Sequence, residues 1–143
     1  MAQQNFQNHS KVVPAFHLFV LPVFAINVIW AAVRAVKHFS RGEVVALLVA
    51  VALFIGAICW RSFALRVQDR VIRLEMRLRL REILPAELRA RIPEFSVGQL
   101  VAMRFASDQE LPGLAQKVLE EKLEDRKAIK MLVKDWQADW LRA

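Results

Sequence analysis

The residues able to do chemistry in this 143-residue chain are few and crowded into its first third. The three histidines, His9, His17 and His38, all precede residue 39, and the single cysteine, Cys59, lies in an apolar run. His17 stands inside a long uncharged stretch with Asn27 ten residues further on. A polar side chain in a stretch that could cross a bilayer is a candidate functional residue. His17 could serve as an axial ligand to a haem or chlorin, or as a proton relay. Its plainer role is a hydrogen bond near the membrane interface. The second apolar run contains no histidine, so it offers no partner for a bis-histidine site. One cysteine excludes an intrachain disulfide and gives no sign of an oxidising compartment.

Beyond residue 60 there is no His, Cys or Tyr. The usual general base, thiol nucleophile and soft metal ligands are therefore missing from the whole polar part of the chain. Gly98 and Gly113 stand alone, and no glycine-rich phosphate loop can be built from them. These residues predict neither an enzyme nor a metal site, and His17 is the only cofactor-binding candidate.

The elements that would position these residues follow from the segregation of charge. Residues 1–60 hold four Lys/Arg and one acid, whereas 61–143 hold seventeen and thirteen. Val12 to Val33 is 22 residues without a charge, and Val44 to Trp60 is another 17. At 1.5 Å per residue the first covers about 33 Å, against a hydrocarbon core of about 30 Å. Arg61 can snorkel, which lets the shorter second run extend through Leu65. A signal peptide does not fit, because the apolar stretch is too long, carries no preceding basic cluster within residues 1–10 and has no small-residue cleavage pattern. Pro14 suits a first turn and Pro22 predicts a kink. Gly42 is expected to give the connecting turn its freedom. Asn27 is expected to hydrogen-bond between helices. Ala52 with Gly56 forms one close-packing face, and Ala46, Ala50 and Ala57 form another.

The second run continues without a breaker to Leu84, so one helix should leave the membrane as a stalk. Val67, Val71, Leu74 and Leu78 make one apolar stripe on it. Ile72, Met76, Leu80 and Ile83 make a second, nearly opposite stripe. The alternation from Leu74 to Arg81 also has a strand period, but Leu, Met, Arg and Glu favour the helix. Two stripes imply two partners, for instance the chain's own small domain and a second subunit. Residues 61–81 carry seven Arg and two acids, while 82–143 are close to neutral. Arg61, Arg66, Arg70 and Arg73 therefore read as topology signals and contacts to anionic lipid head groups. The distal part has no extended basic face, which speaks against nucleic acid. Eight basic residues flank the termini-proximal ends of the two runs, against three on the connecting side. That bias places both termini in the cytoplasm.

After Pro85, a short helix is expected over 86–92. A capped helix should follow from Ser96 through Phe105. A second capping box is expected at Ser107–Glu110, with a helix starting between 107 and 112. The stretch 114–143 has no Gly or Pro and reads as two helices with a break near 124, the last one carrying Trp136 and Trp140 on one face. Those tryptophans suit a small core or a helix lying on the membrane. A unit of about 60 residues rarely supplies its own core, so it should lean on the stalk, the membrane or another subunit.

The segments FQNHSKVVPAFHLFVLP, VQDRVIRLEMRLRL, RFASDQELP and DRKAIKMLVKDWQADWLRA resemble an uncharacterised bacterial membrane-protein family, a domain of unknown function. The resemblance implies a small two-span protein and brings no activity, cofactor or catalytic residue.

The expected fold is therefore all-α. It comprises a tail (1–11), a transmembrane hairpin (12–36 and 44–65, loop 37–43), a cytoplasmic stalk (66–84) and a small helical domain (85–143). The expected function is a non-enzymatic subunit or scaffold of the bacterial inner membrane, self-associating or joined to other membrane subunits. Two alternatives are a pigment- or haem-binding subunit using His17 and an anionic-lipid sensor using the arginine stalk and the tryptophans.

Overall fold

The computed structural model describes residues 5–6 and 12–139. The described residues are helical with no strand; an isolated antiparallel bridge joins Ala106 and Trp136. The first helix opens with a π turn, Ala15–Val20, and continues as α1, Leu21–Lys37. Pro22 explains the wide turn. It has no N–H for the Leu18 carbonyl, and its ring would collide with that carbonyl in a regular α-helix. The Leu21 N–H instead reaches five residues back to the Phe16 carbonyl.

The connection to α2, Arg41–Ile83, is shorter than the seven-residue loop expected. Ser40 starts α2 early: its hydroxyl accepts from the Glu43 N–H at 3.3 Å and its carbonyl from the Val44 N–H at 3.1 Å. Gly42 consequently sits in the first helical turn, and no described glycine has a positive φ. The turn freedom expected of Gly42 is not used. Both long helices are long and apolar enough to cross a membrane, and only 6% and 11% of their most apolar windows are buried.

The chain divides between Leu65 and Arg66 into two compact units. In the first unit the buried residues are Ala31 and Ala35 on α1 and Ala50 and Ala57 on α2. Small side chains at these positions let two backbones come close. An Arg34–Glu43 ion pair sits beside the turn.

The second unit is organised around the last third of α2. Ile72, Met76, Leu80 and Leu84 form one wall of a core completed by Leu100, Met103, Leu111, Val118 and Ile129. Pro85 adopts an extended conformation and ends α2. A four-residue helix, α3 (Ala86–Arg89), and a 3₁₀ turn, Ile92–Glu94, follow. Helix α4, Val97–Met103, starts on the predicted capping box: the Gln99 N–H donates to Ser96 Oγ at 3.2 Å and the Ser96 N–H to Gln99 Oε1 at 2.7 Å.

Helix α5, Leu111–Glu120, ends where Lys122 takes φ 49°, with the Leu123 N–H closing back onto the Val118 carbonyl at 3.1 Å. Asp125 then caps α6, Arg126–Leu132, through the N–H groups of Lys127 and Ala128. The expected break near 124 is thus built by a left-handed lysine and an aspartate cap.

Two expectations are corrected here. Trp136 is not on a helix: α6 stops at Leu132, and Val133 is already extended. Stacking on Phe105 and backbone pairing with Ala106 outweigh local helix propensity. Trp140 lies outside the described residues. Ser107–Glu110 is half a capping box. Ser107 Oγ accepts from the Glu110 N–H at 3.3 Å, but the Glu110 carboxylate turns away to accept from the N–H groups of Lys134 and Asp135.

Candidate functional site

The chemistry-bearing surface of this molecule is the stalk part of α2, where a helix of alternating apolar and arginine positions meets the distal helices. Its two stripes have different fates. Ile72, Met76 and Leu80 are buried against α4, α5 and α6, and Ile83 packs at the edge of the same core. Val67, Val71, Leu74 and Leu78 remain 61%, 51%, 61% and 51% exposed. One predicted interaction face is thus occupied by the chain's own domain, and the other faces outward.

Arg79 fastens the covered side. Its Nε donates to Asp108 Oδ1 at 2.7 Å, Nη1 to the Arg104 carbonyl at 3.2 Å, and Nη2 to the Ala106 carbonyl at 2.7 Å. A longer contact reaches Gln137 Oε1 at 3.4 Å. The flat, five-donor fork of arginine suits several acceptors set around it, whereas an ammonium would satisfy them only one at a time.

Beside it, Arg104 is almost fully buried. Its Nε donates to Asp139 Oδ2 at 2.9 Å, its Nη1 donates to the Val101 carbonyl, and its guanidinium lies 4.0 Å from the Phe105 ring centre. Trp136 stacks on Phe105 with centroids 4.4 Å apart and planes 16° off parallel. Lys130 Nζ lies 5.4 Å from the same Phe105 ring. Trp136 is therefore half-buried core, and its ring belongs to a cation–aromatic stack that ties the chain's last described residues to α4.

A groove of about 370 Å³ runs along this junction, lined by Gln68, Val71, Glu75, Arg79, Arg104 and Asp139 among others. Its arginines are committed to ion pairs with Asp108 and Asp139. The groove thus has charge and shape but no nucleophile. Among the described residues, no three His, Cys, Asp or Glu side chains converge as metal ligands would.

The remaining sequence candidates are dispersed. Arg66, Arg70 and Arg73 are exposed and Arg61 is half-buried. His17 is half-buried at the start of the first helix. Its Nδ1 lies 3.1 Å from the Val13 nitrogen and 3.0 Å from the Val13 carbonyl, and its ring meets Phe16 edge-on at 5.1 Å. An apolar cavity of about 370 Å³ nearby is lined by Val13, Phe16, Val20, Phe24, Ala57, Trp60 and Arg61, and His17 is not in that lining. Asn27 and Ala52 are exposed, so neither packs between the two helices, and Gly56 is half-buried. The seam uses Ala50 and Ala57 instead, because α2 turns that face, the alternative one in the sequence, toward its neighbour.

Sequence reasoning missed the roles of Arg79 and Glu110, whose hydrogen bonds join segments far apart in the chain. Arg79 is one of seven arginines in 21 residues, and its acceptors lie 25 to 58 residues away. Glu110 was masked by a plausible local partner in Ser107.

Residues 1–143, the whole chain, match the model of a protein family described as a Family of unknown function (DUF6526). No curated protein and no solved structure matches the chain.

Proposed function

The chain belongs to the DUF6526 family, and for this member we propose a non-enzymatic, membrane-embedded subunit that pairs with a second copy of itself through the exposed stripe of its stalk. The observation that carries this reading is the division of labour on α2. The stripe Ile72, Met76 and Leu80 is buried in the chain's own core, while Val67, Val71, Leu74 and Leu78 stay exposed on the same helix.

The spacing of the exposed stripe is four, three, four, which is the a/d repeat of a coiled coil. In this register Val71 and Leu78 take a and Val67 and Leu74 take d, so the central Val71–Leu74 step has the β-branched a and leucine d that favour a parallel pair of helices. In the same register Arg70 falls at g and Glu75 at e, so each Arg70 would face Glu75 of the second copy. Two stalks rooted with one orientation in one membrane are necessarily parallel, which is the arrangement this pairing requires. A seam of twelve residues is marginal for a free peptide. Anchoring in a common bilayer raises the effective concentration and makes so short a seam sufficient.

Membrane embedding is supported by the two long apolar helices and their low burial; a core helix of a soluble fold would be mostly covered. The surplus of basic residues on the stalk side favours both termini in the cytoplasm of a bacterial cell, with Arg61, Arg66, Arg70 and Arg73 next to anionic head groups. The lack of His, Cys and Tyr after residue 60 supports a non-catalytic role.

A cysteine scan in membranes tests the pairing. In a Cys59→Ser background, Val71→Cys and Leu74→Cys should cross-link to dimers under mild oxidation, and Arg73→Cys, off the seam, should not. Equal yields at all three positions, or none at any, would refute the seam.

A further inference from the structure

We propose that Arg77, Arg81 and Arg89 form a binding site for a phosphate-bearing anion at the far end of the stalk helix. The three side chains line a cavity of about 150 Å³ together with Ala90, Ile92 and Pro93, and no acidic residue shares that lining. Arg77 and Arg81 are four apart near the end of α2, so they project from one face. Arg89 is the last residue of α3, which folds back beside them after Pro85.

Each arginine contributes differently. Arg89 is fixed, because its Nε and Nη2 donate to the Leu84 carbonyl at 3.3 and 2.9 Å. That carbonyl belongs to the electronegative end of α2, which holds one guanidinium in place without neutralising the other two. Arg77 is half-buried, and its Nε is fully buried with no hydrogen-bond acceptor from the described residues. A buried, charged N–H without an acceptor is costly, and polar groups in native interiors are nearly always satisfied. Arg81 is exposed at the mouth.

Three like charges thus converge on one cavity, one of them with a buried donor unused. An anion with several oxygens seated in the cavity offsets the repulsion among the three guanidinium groups. Guanidinium forks match phosphate oxygens in pairs, so the chemistry selects phosphate over a single-point anion such as chloride. At about 30 Å³ per water, the cavity holds roughly five waters. That is room for one phosphate group and not for a nucleotide base. Contrast with the neighbouring arginines sharpens the assignment: Arg79 and Arg104 are matched to carboxylates and carbonyls, and Arg91 to Glu94.

The phosphate could be soluble or part of a lipid head group, and the test separates the two. Full-length protein is reconstituted in phosphatidylcholine nanodiscs and titrated with inorganic phosphate by calorimetry at low salt. Saturable binding is expected, weakened at least tenfold in Arg77→Gln and in Arg81→Gln and unchanged in Lys127→Gln, an exposed cation on α6. Arg77→Lys keeps the charge but loses the fork, and should also bind several-fold more weakly. Arg81 is exposed, so its variant tests the site even if the Arg77 variants disturb folding. Repeating the titration in discs containing phosphatidic acid assigns the source. Unchanged phosphate binding marks a soluble ligand, and binding lost to competition marks a lipid phosphate. No saturable binding in phosphatidylcholine discs, or equal weakening in Lys127→Gln and Arg81→Gln, overturns the site.

Discussion

Replacing Arg79 by alanine should loosen the distal domain from the stalk, and the size of the effect can be worked from its four acceptors. Asp108 is 66% exposed and regains water when its partner is removed, so its loss contributes little. The Gln137 contact, at 3.4 Å, is too long to count for much. The Arg104 and Ala106 carbonyls remain; both bonds are part-buried, and both acceptors lose the guanidinium N–H that Arg79 donates. At about 1–1.5 kcal/mol each, the cost is about 2–3 kcal/mol. That corresponds to a rise of about 30- to 150-fold in the opening constant of the segment. Amide hydrogen exchange of the full chain in micelles reads this directly at two sites. The Gln137 N–H donates to the Phe105 carbonyl at 2.7 Å, and the Ser107 N–H to the Asp135 carbonyl at 3.1 Å. Both should exchange faster by that factor in Arg79→Ala, and Arg79→Lys should recover only part of the protection. Exchange within threefold of wild type, as expected for Arg73→Ala, would refute the role given to Arg79.

Three further outcomes follow from the same packing. Leu80→Ala empties a fully buried position and should cost about 2–5 kcal/mol in the denaturation of the distal unit; Leu78→Ala, half exposed on the other stripe, should cost under about 1 kcal/mol while weakening dimer formation. Lys122→Gly removes the strain of a left-handed lysine and should stabilise the protein by about 1 kcal/mol in the same assay, where a loss of stability would contradict the turn geometry. Hydrogen bonds from Arg91 hold the Glu94 carboxyl below the ordinary glutamate range. Its small contribution is therefore complete above that range and fades as pH falls through the lowered value; carboxyl NMR should find the titration shifted in that direction and restored to normal by Arg91→Gln.

What could be read from the sequence was whatever local periodicity and local chemistry decide. The stalk stripes, the Ser96–Gln99 cap and the break near 124 are each written within a few residues, and each is found in the structure. Elements settled at long range were misread. Residues 133–139 have helix-forming composition, yet Glu110 draws the Lys134 and Asp135 N–H groups, and Phe105 draws the Trp136 ring. Both partners lie more than twenty residues away. The hairpin seam stayed open in the sequence for a related reason: Ala52–Gly56 and Ala50–Ala57 are both small-residue faces, and only the rotation of α2 against α1 chooses between them. Arg79 could not be singled out among seven arginines because nothing adjacent to it distinguishes it from Arg73 or Arg81.

The central claim, that this is a membrane subunit paired through its stalk, is tested most directly by the native mass of the full chain extracted in a mild non-ionic detergent. The account predicts a complex of twice the 16.4 kDa chain mass, reduced to the single chain by Leu74→Glu. A wild-type protein that runs as a clean 16.4 kDa monomer with no partner would contradict it.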